Sequence, residues 1–511
     1  MNQKWFRQLF RRRILVILLL VAQAAFLIHL LVRGGRISQT LNAVLTILSF
    51  LTALHIVSRR DKAAYKTAWV FLILLFPLFG GLLYLMFHFQ GPTRSLAKKV
   101  RTAETENAAQ FALPGTGYDA AKECLGELLP QVRYLQNTAG FPIYDHTSVR
   151  YFSPGERLLE ALLPALEQAE HYIFLEFFIV QEGHMWDSIL SILKEKAAQG
   201  VKVRLIYDDI GCFLLLPQNY PQQLREFGIE CVLFNPFRPF LTAKQNNRDH
   251  RKIISIDGKV AYTGGINLAD EYINAIEKHG HWKDAGILVE GKAAWSFTIM
   301  FLEMWQICTG QQEDFQIYYP WSEQLCTVSG EGFVQPYADS PLDTENVGEH
   351  VYLQILNQAQ NYVYINTPYL IVDDSMVSAL TLAAKRGVDV RIITPHRWDK
   401  WAIHMTTRSY YRDLVCAGVR IYEYEKGFMH AKTFVCDDRV ATVGTTNLDF
   451  RSLYLHFECG ALLFGSSAVR DIKQDFLTTL QTCRPILEKN CRSNFFVHLF
   501  QDILRLFAPL M

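Results

Sequence analysis

Apolar and polar positions follow two regimes along this chain. Up to about residue 90 the apolar positions run together in three stretches, Ile14–Val32, Leu41–Val57 and Ala68–Phe87, with basic residues crowded at their ends. A hydrocarbon core about 30 Å thick takes roughly 20 helical residues, which the first and third stretches match and the second approaches. Residues 1–92 are therefore expected to form a membrane anchor of about three transmembrane helices. A cleaved signal peptide is not expected, because "LLVRGGR" has no small-x-small cleavage site and two more apolar stretches follow. Inside the third stretch, Pro77, Gly80 and Gly81 of "FPLFGG" point to close helix packing. Basic flanks favour a cytoplasmic N-terminus, which puts the large domain on the far side. Cysteine usage points the other way, since all ten follow residue 100 in no disulfide framework, as reduced cytosolic thiols do. The two clues leave the membrane face open.

Beyond this anchor the spacing of apolar positions alternates between helical and strand periods. Residues 93–145 are expected to form a linker or neck, with "TAETENAAQFALPGTG" small, polar and loosely ordered. In "SPGERLLEALLPALEQAE" Ser153 stands as N-cap, Pro154 at the first helical position and Glu156 three after the cap, followed by leucines on one face. The strand "YIFLEFFIV", the helix "WDSILSILKEKAAQG" and the strand "VKVRLIYDD" come next. The same order returns as "EHVYLQILNQAQ", "YVYINTPYLIV", "SMVSALTLAAKRG" and "VDVRIITP". A repeat of roughly 150 residues is a duplicated half rather than a solenoid unit. The expected fold is α/β, with half 1 over 146–330, half 2 over 331–488, and buried β-branched strands covered by helices. Residues 489–511 carry Phe496, Leu499, Phe500, Ile503, Leu504 and Phe507 at helical spacing, an amphipathic helix suited to docking on the domain or lying at a membrane interface.

Charge narrows the function classes. Lys+Arg total 51 and Asp+Glu 50, so the chain has none of the basic excess that draws a protein onto nucleic acid. No nucleic-acid partner is expected.

Each half also carries one version of the same string, "HRKIISIDGKVAYTGGINLAD" from residue 250 and "HAKTFVCDDRVATVGTTNLD" from residue 430. Read as strands, His250 and Lys252 share a face, as do His430 and Lys432. Asp257-Gly258 and Asp437-Asp438 read as hairpin turns, and the returning strands end at Gly264-Gly265 with Asn267 and at Gly444-Thr445 with Asn447. One such histidine would more often be a core residue. Two with identical spacing to Lys, Asp and Asn point to chemistry. Two imidazoles on opposite sides of a phosphorus divide an in-line displacement, one attacking and one protonating the leaving alkoxide. The Lys and Asn side chains supply donors for the non-bridging oxygens. Such a reaction requires no metal or cofactor, and the sequence has no H-E-x-x-H, clustered Cys/His or dense acidic run.

H-x-K-x4-D followed by G-G/T-x-N, present twice, resembles the phospholipase D superfamily. Within it, "NNRDHRKIISIDGKVAYTGGINLADEY", "INTPYL", "AKRGVDVRIITP", "GTTNLDFRSLYLHFE" and the C-terminal "RLFAPLM" are similar to the bacterial cardiolipin synthase family, over roughly residues 40 to 511. The resemblance implies two duplicated phospholipase D-like αβα halves, packed as a pseudo-twofold catalytic domain with both histidines at their interface, preceded by N-terminal transmembrane helices. It implies catalytic roles for His250, Lys252, His430 and Lys432, with His250 as nucleophile and His430 as acid and base. Asp257 and Asp437 complete the catalytic motifs, although their turn position favours a structural role. Asn267, Asn447 and Thr445 match phosphate-binding positions, with Gly265 standing where Thr445 has its hydroxyl. Glu458 and Asp284 match the carboxylates that orient a histidine, and Glu176 and Arg451 are candidate pocket residues. The implied activity is a phosphatidyltransferase of the bacterial cell membrane that makes cardiolipin and glycerol from two phosphatidylglycerol molecules. A hydrolytic phospholipase D, a transferase to another alcohol and a non-catalytic scaffold are the rival readings.

Overall fold

The computed structural model describes Val21, Ala25 and residues 36–59, 61–76, 80–81, 84, 91–112, 115–237, 243–320, 328–491 and 494–510. The chain divides into two compact units, the smaller built from residues 1–96, 237–246 and 502–511, the larger from 97–236 and 247–501.

In the smaller unit, helices Arg36–Ser58 and Ala63–Leu75 pack on each other around Ile56, Trp69, Ile73 and Tyr84. Their other faces stay open: Val44, Ile47, Leu48, Phe50, Leu51, Leu54 and Val57 are 47–63% exposed, and Phe71, Leu74 and Leu75 are exposed as well. Among the described residues no helix is long and apolar enough to cross a membrane. The expected first span, apart from Val21 and Ala25, and most of the third beyond Phe76 lie outside the described residues. Gly80 returns against the preceding helix so closely that a Cβ would lie 2.6 Å from the carbonyl oxygen of Leu72. That accounts for Gly80 by packing, whereas a Cβ on Gly81 would meet nothing within 4 Å.

The larger unit contains both halves. In chain order its strands are β1 (Thr147–Phe152), β2 (Tyr172–Phe177), β3 (Lys202–Asp208), β4 (Glu230–Phe234), β5 (Arg248–Asp249), β6 (Lys252–Ile256), β7 (Val260–Gly264), β8 (His281–Lys283) and β9 (Gly286–Gly291) in the first half. The second half has β10 (Phe333–Asp339), β11 (Tyr362–Asn366), β12 (Leu370–Ile371), β13 (Asp389–Pro395), β14 (Arg420–Tyr424), β15 (Gly427–Met429), β16 (Thr433–Cys436), β17 (Val440–Gly444), β18 (Leu448–Asp449), β19 (His456–Phe464) and β20 (Cys483–Ile486). Sheet order is β1-β9-β7-β6-β2-β3-β4 in one half and β10-β19-β17-β16-β11-β13-β14-β20 in the other. The first seven strands correspond one for one, so the duplication read from the strings extends to the whole topology. Parallel pairing of β2 with β3 and β11 with β13 follows from the intervening helices His184–Ala198 and Asp374–Lys385, which carry each chain back across its sheet.

Two local expectations change. The neck is not loosely ordered throughout, because Gly91–Asn107 is one helix continued by a 3-10 turn to Ala112, with Asn107 bonded to Gln306 at 2.9 Å. Ser153 does not cap its helix. The helix begins at Gly155, and the Ser153 hydroxyl donates to the carbonyl of Asp284 at 2.9 Å.

The hairpin-turn aspartates are held by a shared device. Asp257 sits at φ 50° and accepts the backbone N–H groups of Glu170, His171 and Tyr172 at 2.7–2.9 Å. Asp437, at φ 52°, accepts those of Gln360, Asn361 and Tyr362 at 2.7–2.9 Å. Each carboxylate thus ties its β-hairpin to the start of the neighbouring central strand, the structural role that its turn position favours over the catalytic one its motif suggests. Asp257→Ala and Asp437→Ala are each expected to cost about 2–4 kcal/mol, since three N–H groups lose a charged acceptor. Denaturant midpoints of the purified chain check this, and unchanged midpoints with abolished activity would return these groups to the chemistry.

Candidate active site

Each histidine is placed by the other half of the molecule. The chain leaves regular strand geometry between β5 and β6, and there the His250 N–H donates to the carbonyl of Phe457 at 2.9 Å. Just before it, β5 pairs in parallel with β19, setting Arg248 opposite His456 and Asp249 opposite Phe457. Arg248 is held in turn by a buried pair with Asp208, 2.8 Å between Nε and Oδ2. The second motif repeats this in mirror fashion: β15 pairs with β8, Phe428 opposite Trp282, and the His430 N–H donates to the carbonyl of Lys283 at 2.7 Å. The strand before each histidine is zipped to the strand residues that immediately precede the other half's orienting carboxylate.

That zipper carries the side chains into register. His250 Nδ1 lies 3.0 Å from both oxygens of Glu458, and His430 Nδ1 lies 2.6 Å from Oδ2 of Asp284. Both carboxylates are fully buried and both imidazoles nearly so. With Nδ1 committed, Nε2 of each ring is the nitrogen left for reaction. Lys252 Nζ donates to the His250 carbonyl at 2.6 Å, and Lys432 Nζ makes the same bond to the His430 carbonyl. Lys432 Nζ also stands 2.9 Å from His430 Nδ1, but that nitrogen's proton belongs to the shorter bond with Asp284.

The site is a buried cluster of bases. Burial, then the charges of Lys252, Lys432 and His430, holds His250 well below the usual imidazole range. His430 is brought down to about 4 by burial and Lys432, against the opposing pull of Asp284. Burial lowers Lys252 to about 8 and Lys432 to about 7. Burial raises Asp284, but the charges of His430 and Lys432 outweigh it and the carboxyl ends below its ordinary value. Both imidazoles are therefore neutral near pH 7, beside two crowded lysines whose ammonium forms burial disfavours and an incoming anion would favour.

The two halves differ where Thr445 faces Gly265. Thr445 Oγ1 donates to Oε2 of Glu458 and accepts the N–H of Cys459 at 3.0 Å, so its hydroxyl holds the carboxylate and is not a free phosphate donor. A Cβ on Gly265 would lie 2.1 Å from Oδ1 of Asp284. The shorter aspartate fills the space that threonine fills in the other half. Gly264 and Gly444 likewise approach neighbouring backbone, 2.5 Å from the carbonyl oxygens of Ala285 and Cys459 if a Cβ were added, and not a ligand as expected.

The remaining expected residues divide. Asn267 is buried and tied to the scaffold, Oδ1 accepting from Ile179 N–H at 3.0 Å and Nδ2 donating to Tyr272 hydroxyl at 2.7 Å. Asn447 is buried with an Oδ1 that has no hydrogen-bond partner. Arg451, exposed on the following turn, bears electrostatically on His456. Glu176 is not a pocket residue: it lies opposite Ile253 across the β2–β6 pair, on the face away from Lys252, fully buried beside Arg251 at 3.8 Å. Burial and then Asp249 raise its carboxyl well above the ordinary value.

Sequence reasoning missed the residues packed on the rings. Trp282, two before Asp284, has its ring 5.0 Å from His430, with Tyr272 at 5.4 Å and Phe428 at 5.9 Å. His456, two before Glu458, has its ring 5.5 Å from His250, and Phe178 lies at 5.1 Å. The repeated offset of two from the carboxylate was the available signal. Among the described residues His250, His456 and Glu458 are the group able to hold a metal ion, their ligand atoms within 4.8 Å of one another. The ammonium groups of Lys252 and Lys432 oppose a cation there and favour an anion.

Known proteins resemble this chain in both halves. The family described as cardiolipin synthase, PLD-like domain matches residues 162–293 and again 352–480, one match per half, and phospholipase D-nuclease N-terminal matches 47–87. A Geobacillus sp. (strain WCH70) protein named cardiolipin synthase is 33% identical over 98% of this chain and 99% of its own. One of the same name from Alkalihalophilus pseudofirmus is 34% identical over 92% of this chain and 94% of its own. An uncharacterized protein of Streptococcus mutans serotype c is 41% identical over 90% of this chain and 99% of its own. The crystal structure of phosphatidylserine synthase from Haemophilus influenzae Rd KW20 shares the fold, with TM-score 0.55 at 14% identity over 75% of this chain and 98% of that one. Two zipped halves, each giving an imidazole that the other orients, and a family match in each half make this chain a member of the cardiolipin synthase family of phospholipase D superfamily enzymes.

Proposed function

We propose that this protein is a membrane-bound phosphatidyltransferase that joins two phosphatidylglycerol molecules into cardiolipin and releases glycerol. The observation that carries the reading is the pair of buried imidazoles, each oriented by a carboxylate from the opposite half, beside two buried lysines. A phosphodiester anion would help to keep those lysines charged. The apolar helix faces left open in the smaller unit support a membrane anchor, as does the apolar sequence of Ile14–Val32. Related proteins named cardiolipin synthase support the choice of product.

In the first step the phosphodiester anion binds together with a proton that His430 Nε2 takes from solvent, His250 Nε2 attacks phosphorus, a P–N bond forms, and the bond to the glycerol oxygen breaks as that oxygen takes the proton from His430 Nε2. An imidazolium on His430 is what Asp284 stabilises, just as Glu458 supports the positive charge that develops on His250. In the second step the head-group hydroxyl of another phosphatidylglycerol gives its proton to His430, its oxygen attacks phosphorus, and the P–N bond breaks. Lys252 and Lys432 hold the non-bridging oxygens through both steps, with Asn447 beside them. An anchor in the bilayer keeps acceptor lipid concentrated at the adduct, which favours transfer over hydrolysis. Water or another alcohol in the second step would give the rival phospholipase D or transferase.

Purified enzyme given labelled phosphatidylglycerol is expected to form cardiolipin and free glycerol, whereas phosphatidic acid as sole product would refute transfer. His250→Ala and His430→Ala are expected to lower turnover on the order of 10⁴-fold or more. A phosphatidyl ester with a good leaving group should rescue adduct formation in His430→Ala but not in His250→Ala, and the opposite pattern would exchange the two roles.

Gly265→Ala should displace Asp284 and cost on the order of 10²-fold in turnover with little loss of stability, read from kinetics beside a thermal melt. Full activity would show that the carboxylate position is immaterial. As pH rises through the lowered values of Lys252 and Lys432, about 8 and about 7, their charge is lost and with it the grip on phosphate. Accordingly kcat/KM should fall on the alkaline side in that range rather than near the ordinary lysine value of about 10.4. A profile flat to about pH 10 would contradict the burial of these charges.

A further inference from the structure

One surface of the larger unit carries aromatic side chains that the proposed chemistry does not use. In the C-terminal helix Phe495–Phe507, Phe495 and Phe496 are 72% and 78% exposed, with Leu499 and Phe500 exposed on the same side. Trp401, at the start of the helix Trp401–Ser409, is half exposed and its ring lies 5.6 Å from that of Phe500. Trp398, three residues earlier, is equally exposed. The two elements therefore share a contiguous aromatic face, which is costly to leave in water and whose tryptophans suit the boundary between headgroups and acyl chains.

What lies beside the patch favours a lipid surface over a protein partner. Lys278, His279, His396, Arg397 and Trp398, with Glu425, line an open groove of about 760 Å³, and Lys400 next to it is exposed. Lys278 pairs with Glu271 at 3.0 Å, Arg397 reaches Glu277 at 3.8 Å and His396 meets Glu423 at 2.8 Å, yet Lys278 and Arg397 stay exposed on the rim, where with Lys400 they can turn to anionic headgroups beside the aromatic face. The groove also approaches the catalytic centre. His279 stacks 6.1 Å from Phe428 and 6.3 Å from Trp282, both packed on His430. From the other direction Asp399 accepts the Tyr369 hydroxyl at 2.6 Å, and the Tyr369 ring lies 6.4 Å from Phe428. Within the smaller unit the last turn of the same helix rests on the apolar helices, Phe507 6.0 Å from Phe71.

We propose that Trp398, Trp401, Phe495, Phe496, Leu499 and Phe500 form a docking face that seats the catalytic unit on an anionic bilayer, with the Lys278–Arg397 groove at headgroup depth. Lipid then reaches the catalytic centre from the His430 side without leaving the interface. The role in substrate delivery rests on the phosphatidyltransferase reading, while the seat itself is measurable without turnover.

The full chain is reconstituted into phosphatidylglycerol–phosphatidylcholine vesicles whose acyl chains are brominated near the headgroup, and tryptophan quenching is compared with that of the Trp398→Phe/Trp401→Phe variant. The quenched component is expected to shrink in the variant. An unchanged quenched component would overturn the proposal, as would a Phe496→Glu/Phe500→Glu variant that alters oligomeric state without altering quenching, which would assign the face to a second copy. In turnover, the glutamate pair is expected to slow reaction of bilayer phosphatidylglycerol on the order of tenfold while sparing a short-chain, monomeric substrate. Equal slowing of both would make the face an internal support of the fold. Wild-type enzyme that forms no cardiolipin would sink the phosphatidyltransferase reading and leave the quenching result to decide the seat.

Discussion

An imidazole bonded to a carboxylate from the opposite half is the constraint on which the rest of this molecule depends. Neither half holds a complete site. His250 has its ring fixed by Glu458 and its backbone fixed by Phe457, and His430 depends in the same way on Asp284 and Lys283. The short cross-half pairings β5 with β19 and β8 with β15 set the register that makes these bonds. A slip of one residue there would turn each carboxylate away from its histidine. Further cross-half bonds, from Lys283 and Tyr151 to Asp475, stiffen the same seam.

Burial gives those pairs their chemistry. Desolvation strips protons from imidazoles and ammonium groups alike, and the positive field of the lysines adds to the effect. The free site is thus one whose buried lysines an anion would help to keep charged. The halves are not equivalent in this. His430 lies against Trp282, Phe428 and Tyr272, whereas His250 lies beside a second imidazole, His456. Threonine opposite glutamate in one half and glycine opposite aspartate in the other keep the carboxylate geometry while changing the space around it.

Much of this was legible in the chain. Strong periodicity located the central strands and their helices, because β-branched runs bounded by Gly-rich turns leave little choice of element. The two repeated strings singled out both histidines and both lysines, and the family resemblance added Glu458 and Asp284. Less legible were features that depend on which half meets which. Nothing in the local pattern of "HWKD" or "LHFE" says that its carboxylate serves the other half's histidine. Ser153 shows how tertiary structure overrides a local rule, since its hydroxyl prefers the carbonyl of Asp284 to the helix it precedes. Glu176 misled for a related reason: an acid at the end of a central strand reads as a pocket residue, and only the register with Ile253 shows that it faces Arg251. Asp257 and Asp437 belong to the motif by spacing yet act as clasps for backbone N–H groups.

The most direct measurement is rapid acid-free quenching of the enzyme during turnover of phosphatidylglycerol, followed by peptide mass analysis of the covalent adduct. The account predicts a phosphatidyl group on the peptide containing His250, formed in wild type and nearly absent in Glu458→Gln. An adduct on the His430 peptide, or one on His250 that forms undiminished without the Glu458 carboxylate, would contradict it.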